Sequence, residues 1–195
     1  MLGLGKKFNG VCDTIKAIAC INRGVVRMTD RLFYVQSQLL NHYNDVADTF
    51  DNETDRASAI LAASYLENLL EIFLKDHMVE DDIINSLFTG QGALSTFSSR
   101  IAASYAFKFI PYKVYRDLDL IRKIRNHFAH NMSEATYEDE AVRNRISCFE
   151  LFKEVDLQEY NHTNRQKFLI TVGIISIHIS HLVSSEISLP KPQRR

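Results

Sequence analysis

The sequence predicts an all-α protein, a single helical bundle of about five or six helices. Three observations carry that reading. Seven Gly and three Pro in 195 residues leave long stretches without a chain breaker, which favours helices over a turn-rich β architecture. Apolar residues recur at three- and four-residue steps in most segments. The length, with 46% hydrophobic residues, suits one domain with a core of useful size.

Each element follows from capping residues and apolar period. Residues 1–27 read as an amphipathic N-terminal arm, 28–189 as the helical domain, and 190–195 as a mobile basic tail. Thr29 or Asp30 can cap a helix to about Asp48, with Leu32, Val35, Leu39, Tyr43 and Val46 on one face. The polar run Asp51 to Asp55 breaks it. A longer helix then extends to about His77, with Ile60, Ala63, Leu66, Leu69, Leu70 and Phe73 on its apolar side. Val79 to Leu87 reads as a short helix whose first turn is acidic (Glu80, Asp81, Asp82), where the helix dipole favours negative charge. Thr89 to Gly92 is the clearest loop.

Two helices follow, at about Ser95 to Phe109 and Tyr112 to Asn131, with Pro111 suited to the first turn of the second. After an acidic turn region (Glu134 to Glu140), Val142 to Phe152 is predicted as one helix, and Asp156 to Asn164 is polar. The Ile-rich stretch Phe168 to Val183 would suit a strand by alternation. Its length without a turn signal makes it a buried helix. It is too short for a comfortable membrane span, and His178 and His181 would be costly at the middle of one. Near the N-terminus, Asp13 and Lys16 interrupt the only apolar run a signal peptide could use. No membrane partner is expected.

Twenty-three Lys+Arg against twenty-four Asp+Glu give a net charge of −1, so no global field draws the chain to nucleic acid. The charges are unevenly spread. Eleven acidic residues between Asp45 and Asp82 face only Arg56 and Lys75, making this stretch a candidate docking face. Between Arg100 and His130 seven basic residues face only Asp117 and Asp119, which suits phosphate contact but equally a solvated helix face. Cys12, Cys20 and Cys148 form no CxxC pair, so they read as reduced thiols in a cytoplasmic protein.

The segment Asp117 to His130 carries the most chemistry. Leu118, Ile121, Ile124 and Phe128 make its core stripe. Arg125 leans towards that stripe, so its guanidinium needs a partner, a subunit boundary or an anionic ligand. Arg122, Asn126 and His130 share one line of the helix. Arg, Asn and His in this arrangement suit phosphodiester chemistry without a metal. Imidazole can move a proton near neutral pH, and Arg can hold a phosphate. An interfacial Arg with His and Asn closing a helix end is the plainer reading of the same spacing. His178 and His181 lack a third metal ligand, and Gly90 and Gly92 lack the Lys and strand of a phosphate loop. The helix pair around Pro111 could mimic a helix-turn-helix, but Asp117 and Asp119 stand where base-reading residues should project. No cofactor or metal is expected.

Arg125-Asn126-His127-Phe128-Ala129-His130 resembles the RNxxxH motif of HEPN domains, α-helical proteins many of which are metal-independent ribonucleases working as dimers. A longer resemblance runs through Arg56 to Glu67, Leu87 to Ile101 and Tyr115 to His130, and is similar to the mannitol operon repressor (MltR/MtlR) family. That family is all-α, and its regulators act without a recognisable DNA-binding motif. The leading expectation is therefore a HEPN-type endoribonuclease, a toxin or defence effector, active as a homodimer. In it His130 would be the acid or base, Arg125 would stabilise phosphorane charge, and Asn126 would position the phosphate. Arg122 and Lys123 would guide RNA. The alternative is a non-catalytic transcriptional regulator acting through a protein partner, with an antitoxin or a regulatory protein as the possible companion.

Overall fold

The computed structural model describes residues 50, 52–131, 135–154 and 161–185, without the side chains of 181 and 183–185. The arm at 1–27, the helix expected from Thr29 to Asp48 and the tail at 190–195 lie outside these residues. The described part is all-helical. Its elements are α1 (Asp55–Asp76), α2 (Asp82–Phe88), α3 (Phe97–Ala106), α4 (Tyr112–His130), α5 (Glu140–Ile146), α6 (Glu150–Glu154) and α7 (Asn164–Ser185). α1 sits centrally, against α7, α4 and α3, while α4 also contacts α5, α6 and α7.

The helix starts are set by short polar side chains. Thr54 accepts from the Ala57 amide at 3.2 Å and opens α1. Asp81, expected inside the acidic turn, is instead the N-cap of α2 and accepts from Ile83. Thr96 and Ser99 exchange bonds as a capping box at the start of α3. Thr163 and Gln166 do the same beside α7: the Thr163 amide donates to Gln166 Oε1 and the Gln166 amide to Thr163 Oγ1. Pro111 is the residue before α4, not part of its first turn.

The core is one cluster of apolar side chains from all the longer helices. The expected stripe of α4, Leu118, Ile121, Ile124 and Phe128, is fully buried. The Ile-rich stretch is helix α7, with Phe168, Leu169, Ile170, Val172, Ile175 and Ile179 inside. Buried Thr171 and Ser176 donate to the carbonyls of Lys167 and Val172 four residues back, so an apolar-flanked helix carries them without unsatisfied hydroxyls. α1 is long and apolar enough to cross a membrane by length and composition alone. Its central place among three helices answers that apolarity.

The predicted helix Val142 to Phe152 is two helices, α5 and α6, parted at Ser147 to Phe149. The cause is tertiary. Asp117, fully buried on α4, accepts from the Glu150 amide at 3.0 Å and the Leu151 amide at 2.9 Å, so it starts a new helix there. Burial raises the Asp117 carboxyl above its ordinary pKa, against the lowering effect of those two amides. With that break and α2 counted, the described residues hold seven helices against the five or six expected.

Candidate functional site

The C-terminal half of α4 carries the sequence-predicted site. Burying Leu118, Ile121, Ile124 and Phe128 leaves Arg122, Arg125, Asn126 and His127 half-buried, and Lys123 and His130 exposed. The Arg125 side chain is 33% exposed, and its Nη2 lies 3.5 Å from Glu67 Oε2 on α1. Its Nη1 donates to Asn126 Oδ1 at 3.2 Å. The partner that the apolar lean of Arg125 demanded is thus in the same chain. A subunit boundary is not required to explain it, and the homodimer loses the argument drawn from this residue.

The remaining residues turn elsewhere. Arg122 donates from Nε and Nη2 to Asp119 Oδ1 at 3.0 and 2.7 Å, and Lys123 pairs with Asp119 Oδ2 at 2.8 Å. Burial pushes the Asp119 carboxyl up, but the bonds from Lys123 and Arg122 outweigh it and hold the group below its ordinary pKa. The exposed His130 side chain has no hydrogen bond or ion pair with a described residue. The structure therefore joins Arg125 to Asn126 and leaves His130 outside their contact. The ring contact in this motif belongs to His127, whose Nε2 lies 2.9 Å from Asp139 Oδ2. That bond, aided by those from Thr136 and against the raising effect of burial, holds the Asp139 carboxyl below its ordinary pKa.

Sequence reasoning missed the polar centre of this region, Arg100. Its side chain is only 8% exposed. Nη2 pairs with Glu71 Oε2 at 2.9 Å, and Nη1 lies 3.9 Å from the same Glu67 carboxylate that faces Arg125. Nε donates to the Leu94 carbonyl at 2.9 Å, Nη1 to the Glu67 carbonyl at 3.2 Å, and Nη2 to the Phe88 carbonyl at 3.5 Å. Lys75 closes the chain of charges on Glu71 at 2.7 Å. One guanidinium ties α1 to the end of α2 and to the loop before α3. The loop must turn tightly to deliver Leu94. A Cβ on Gly92 would fall 2.2 Å from the Ser86 carbonyl oxygen, so only glycine fits there. The signal was present: Phe97, Arg100, Ile101 and Ser104 are the buried positions of α3, spaced as a helical core stripe.

The basic run from Arg100 to Arg125 is largely self-neutralised. Arg100, Arg122, Lys123 and Arg125 are paired as above, Lys113 pairs with Glu154, and Arg116 with Glu150. The seventh cation, Lys108, has no ion pair with a described residue. It stands in the α3–α4 turn with φ +63°, a left-handed conformation. The Lys108 amide donates to the Tyr105 carbonyl and the Phe109 amide to the Ser104 carbonyl, both at 2.9 Å. This is a Schellman cap, whose left-handed position is usually glycine. A side chain there costs about 1 kcal/mol. Around it, Phe107 is 62% and Tyr112 55% exposed, and the Tyr105 and Tyr115 rings stack at 4.7 Å. An open cleft of about 570 Å³ lies between this turn and α7, lined among others by Tyr105, Lys108, Phe109, Pro111, His178 and Leu182.

Among the described residues no three His, Cys, Asp or Glu side chains converge as a metal site; His181, half of the expected pair, lies outside the described side chains. An all-α bundle with a long central helix, its charged groups largely paired with one another, defines the class of protein. The chain belongs to the mannitol repressor (MtlR) family, whose pattern matches residues 35–190. In structure it is similar to a chain of the X-ray structure of the MtlR–HPr complex from Escherichia coli. The TM-score is 0.57 at 17% identity, over 75% of this chain and 99% of that one. That likeness is one of fold. No sequence among the curated proteins matches.

Proposed function

We propose that the chain is a non-catalytic transcriptional regulator of the mannitol-repressor kind, acting through contact with another protein. One observation carries the reading beyond family membership. The Arg125 guanidinium, which a nuclease would aim at phosphate, is engaged with Glu67 and Asn126, and Arg122 and Lys123 are engaged with Asp119. The cations that should attract RNA are neutralised within the chain: Arg125 ties α4 to α1, and Arg122 and Lys123 are paired along α4 itself. The E. coli structure was solved with HPr, so a protein of that kind is the first partner to test. Regulation of this type places the protein in the cytoplasm.

Titration calorimetry of the full chain with HPr, alongside repression of a mannitol-operon reporter, tests the proposal. Binding and repression should both survive in an Arg125→Ala/His130→Ala variant that folds. Loss of repression with partner binding intact would overturn it.

A second reading, a metal-independent endoribonuclease of the HEPN type, is favoured only by His130, which is exposed and whose side chain has no ion pair with a described residue. In that reading His130 moves the proton at the 2′-hydroxyl or leaving oxygen, and a homodimer supplies the second imidazole. RNA cleavage in EDTA by wild type, reduced about 10²-fold or more in His130→Ala, would establish it and displace the regulator.

A further inference from the structure

We infer that the cleft between the α3–α4 turn and α7 binds a small organic anion, with an apolar body against the rings and a negative head on Lys108. Three independent features converge there. The cleft volume, about 570 Å³, falls in the range of small-molecule sites, about 300–1,000 Å³. Its walls are mostly apolar, from Tyr105, Phe109, Pro111 and Leu182, with Lys108 and His178 as the polar groups. Lys108, which lines the cleft, is the one member of the basic run without an ion pair to a described residue.

The third feature is the backbone. At φ +63° glycine would be the less strained choice for the cap. A long cationic side chain held in that conformation, on the lip of an apolar cleft, points to a ligand-facing role rather than a folding one. The inverse arrangement holds for the other six cations, which spend their charge on carboxylates in the chain. Sugars are disfavoured as the occupant, because the walls offer few hydrogen-bonding groups. A carboxylate, sulfonate or phosphate on an aromatic or aliphatic body fits. The inference stands apart from the regulator reading and does not depend on it.

The test uses the full chain and two dyes of similar body, 8-anilinonaphthalene-1-sulfonate, which is anionic, and N-phenyl-1-naphthylamine, which is neutral. Wild type should bind the anionic dye at one saturable site. Lys108→Gln should weaken that binding about tenfold, the loss of one charge-assisted contact, and Lys108→Arg should restore it. The neutral dye should bind both proteins alike. Ala106→Trp, which fills the cleft from its rim, should abolish binding of both dyes with the circular dichroism spectrum unchanged. Competition with octanoate and with 1-naphthoate then distinguishes aliphatic from aromatic anions. Equal binding of the anionic dye by wild type and Lys108→Gln, its survival in folded Ala106→Trp, or displacement by neither competitor would overturn the inference.

Discussion

The two ends of α4 solve the placing of positive charge in opposite ways. At its C-terminal half, Arg125 shares Glu67 with the buried Arg100, and Arg122 and Lys123 share Asp119. At its N-terminal end, Lys108 stands in a left-handed turn beside exposed rings, with no ion pair to a described residue. The first arrangement is structural, because a paired guanidinium between helices loses its worth if it moves. The second adds little to the fold and even opposes it. Residue type alone does not separate the two: within the Arg–Asn–His motif Arg125 is held by Glu67 and Asn126, while Lys108 has no ion pair with a described residue.

The comparison breaks most sharply at Arg100. Arg100→Ala leaves Glu71 with Lys75 alone and Glu67 with Arg125 alone, takes the guanidinium from three carbonyls, and should destabilise the fold by about 3 kcal/mol. Arg125→Ala, acting on the exposed end of the same network, should cost about 1 kcal/mol or less. Urea denaturation of both variants measures the ratio. Equal losses would mean that the network has no buried centre.

The turn responds in the other direction. Lys108→Gly keeps the Schellman bonds and removes the left-handed strain, so it should raise stability by about 1 kcal/mol. A fall in urea midpoint would show that the Lys108 side chain holds the fold through contacts the comparison denies it.

The smallest effect is at the end of α4, where His127 meets Asp139. The depressed Asp139 carboxyl stabilises the fold above its unfolded pKa of about 3.9. That contribution is lost as pH falls through the lower folded value. Wild type should melt above Asp139→Asn at pH 5, and the two Tm values should converge as the pH is lowered below about 4. A gap that stays constant with pH would assign the difference to Thr136 and loop geometry instead.

Much of this was legible in the sequence. The apolar steps of Ile60 to Phe73 and Leu118 to Phe128 located α1 and α4, because a helix that buries one face must repeat its apolar residues every three or four positions. The lean of Arg125 towards that face announced a partner, a subunit boundary or a ligand, of which the structure supplies an intrachain partner, Glu67, and the scarcity of Gly and Pro announced the all-α class. The family resemblance rested on three segments that the matched range, 35–190, contains. Two local signals went unread: the Thr163 and Gln166 box ahead of α7, and Arg100 on the buried stripe of its own helix.

What the tertiary structure alone decided is which charges meet. Glu67 and Arg125 are 58 positions apart, and Asp117 reaches Glu150 across 33. No local period relates such pairs, because their distance is set by how helices cross and not by steps along one helix. The split of Val142 to Phe152 has the same origin, since propensity favours one helix and the buried Asp117 imposes two. Among the described residues, sequence by itself determined the long helices, their inward faces and the family. Whether a cation on those helices is spent inside the fold or kept for a ligand depends on the carboxylates that packing brings beside it. That is a property of the assembled bundle.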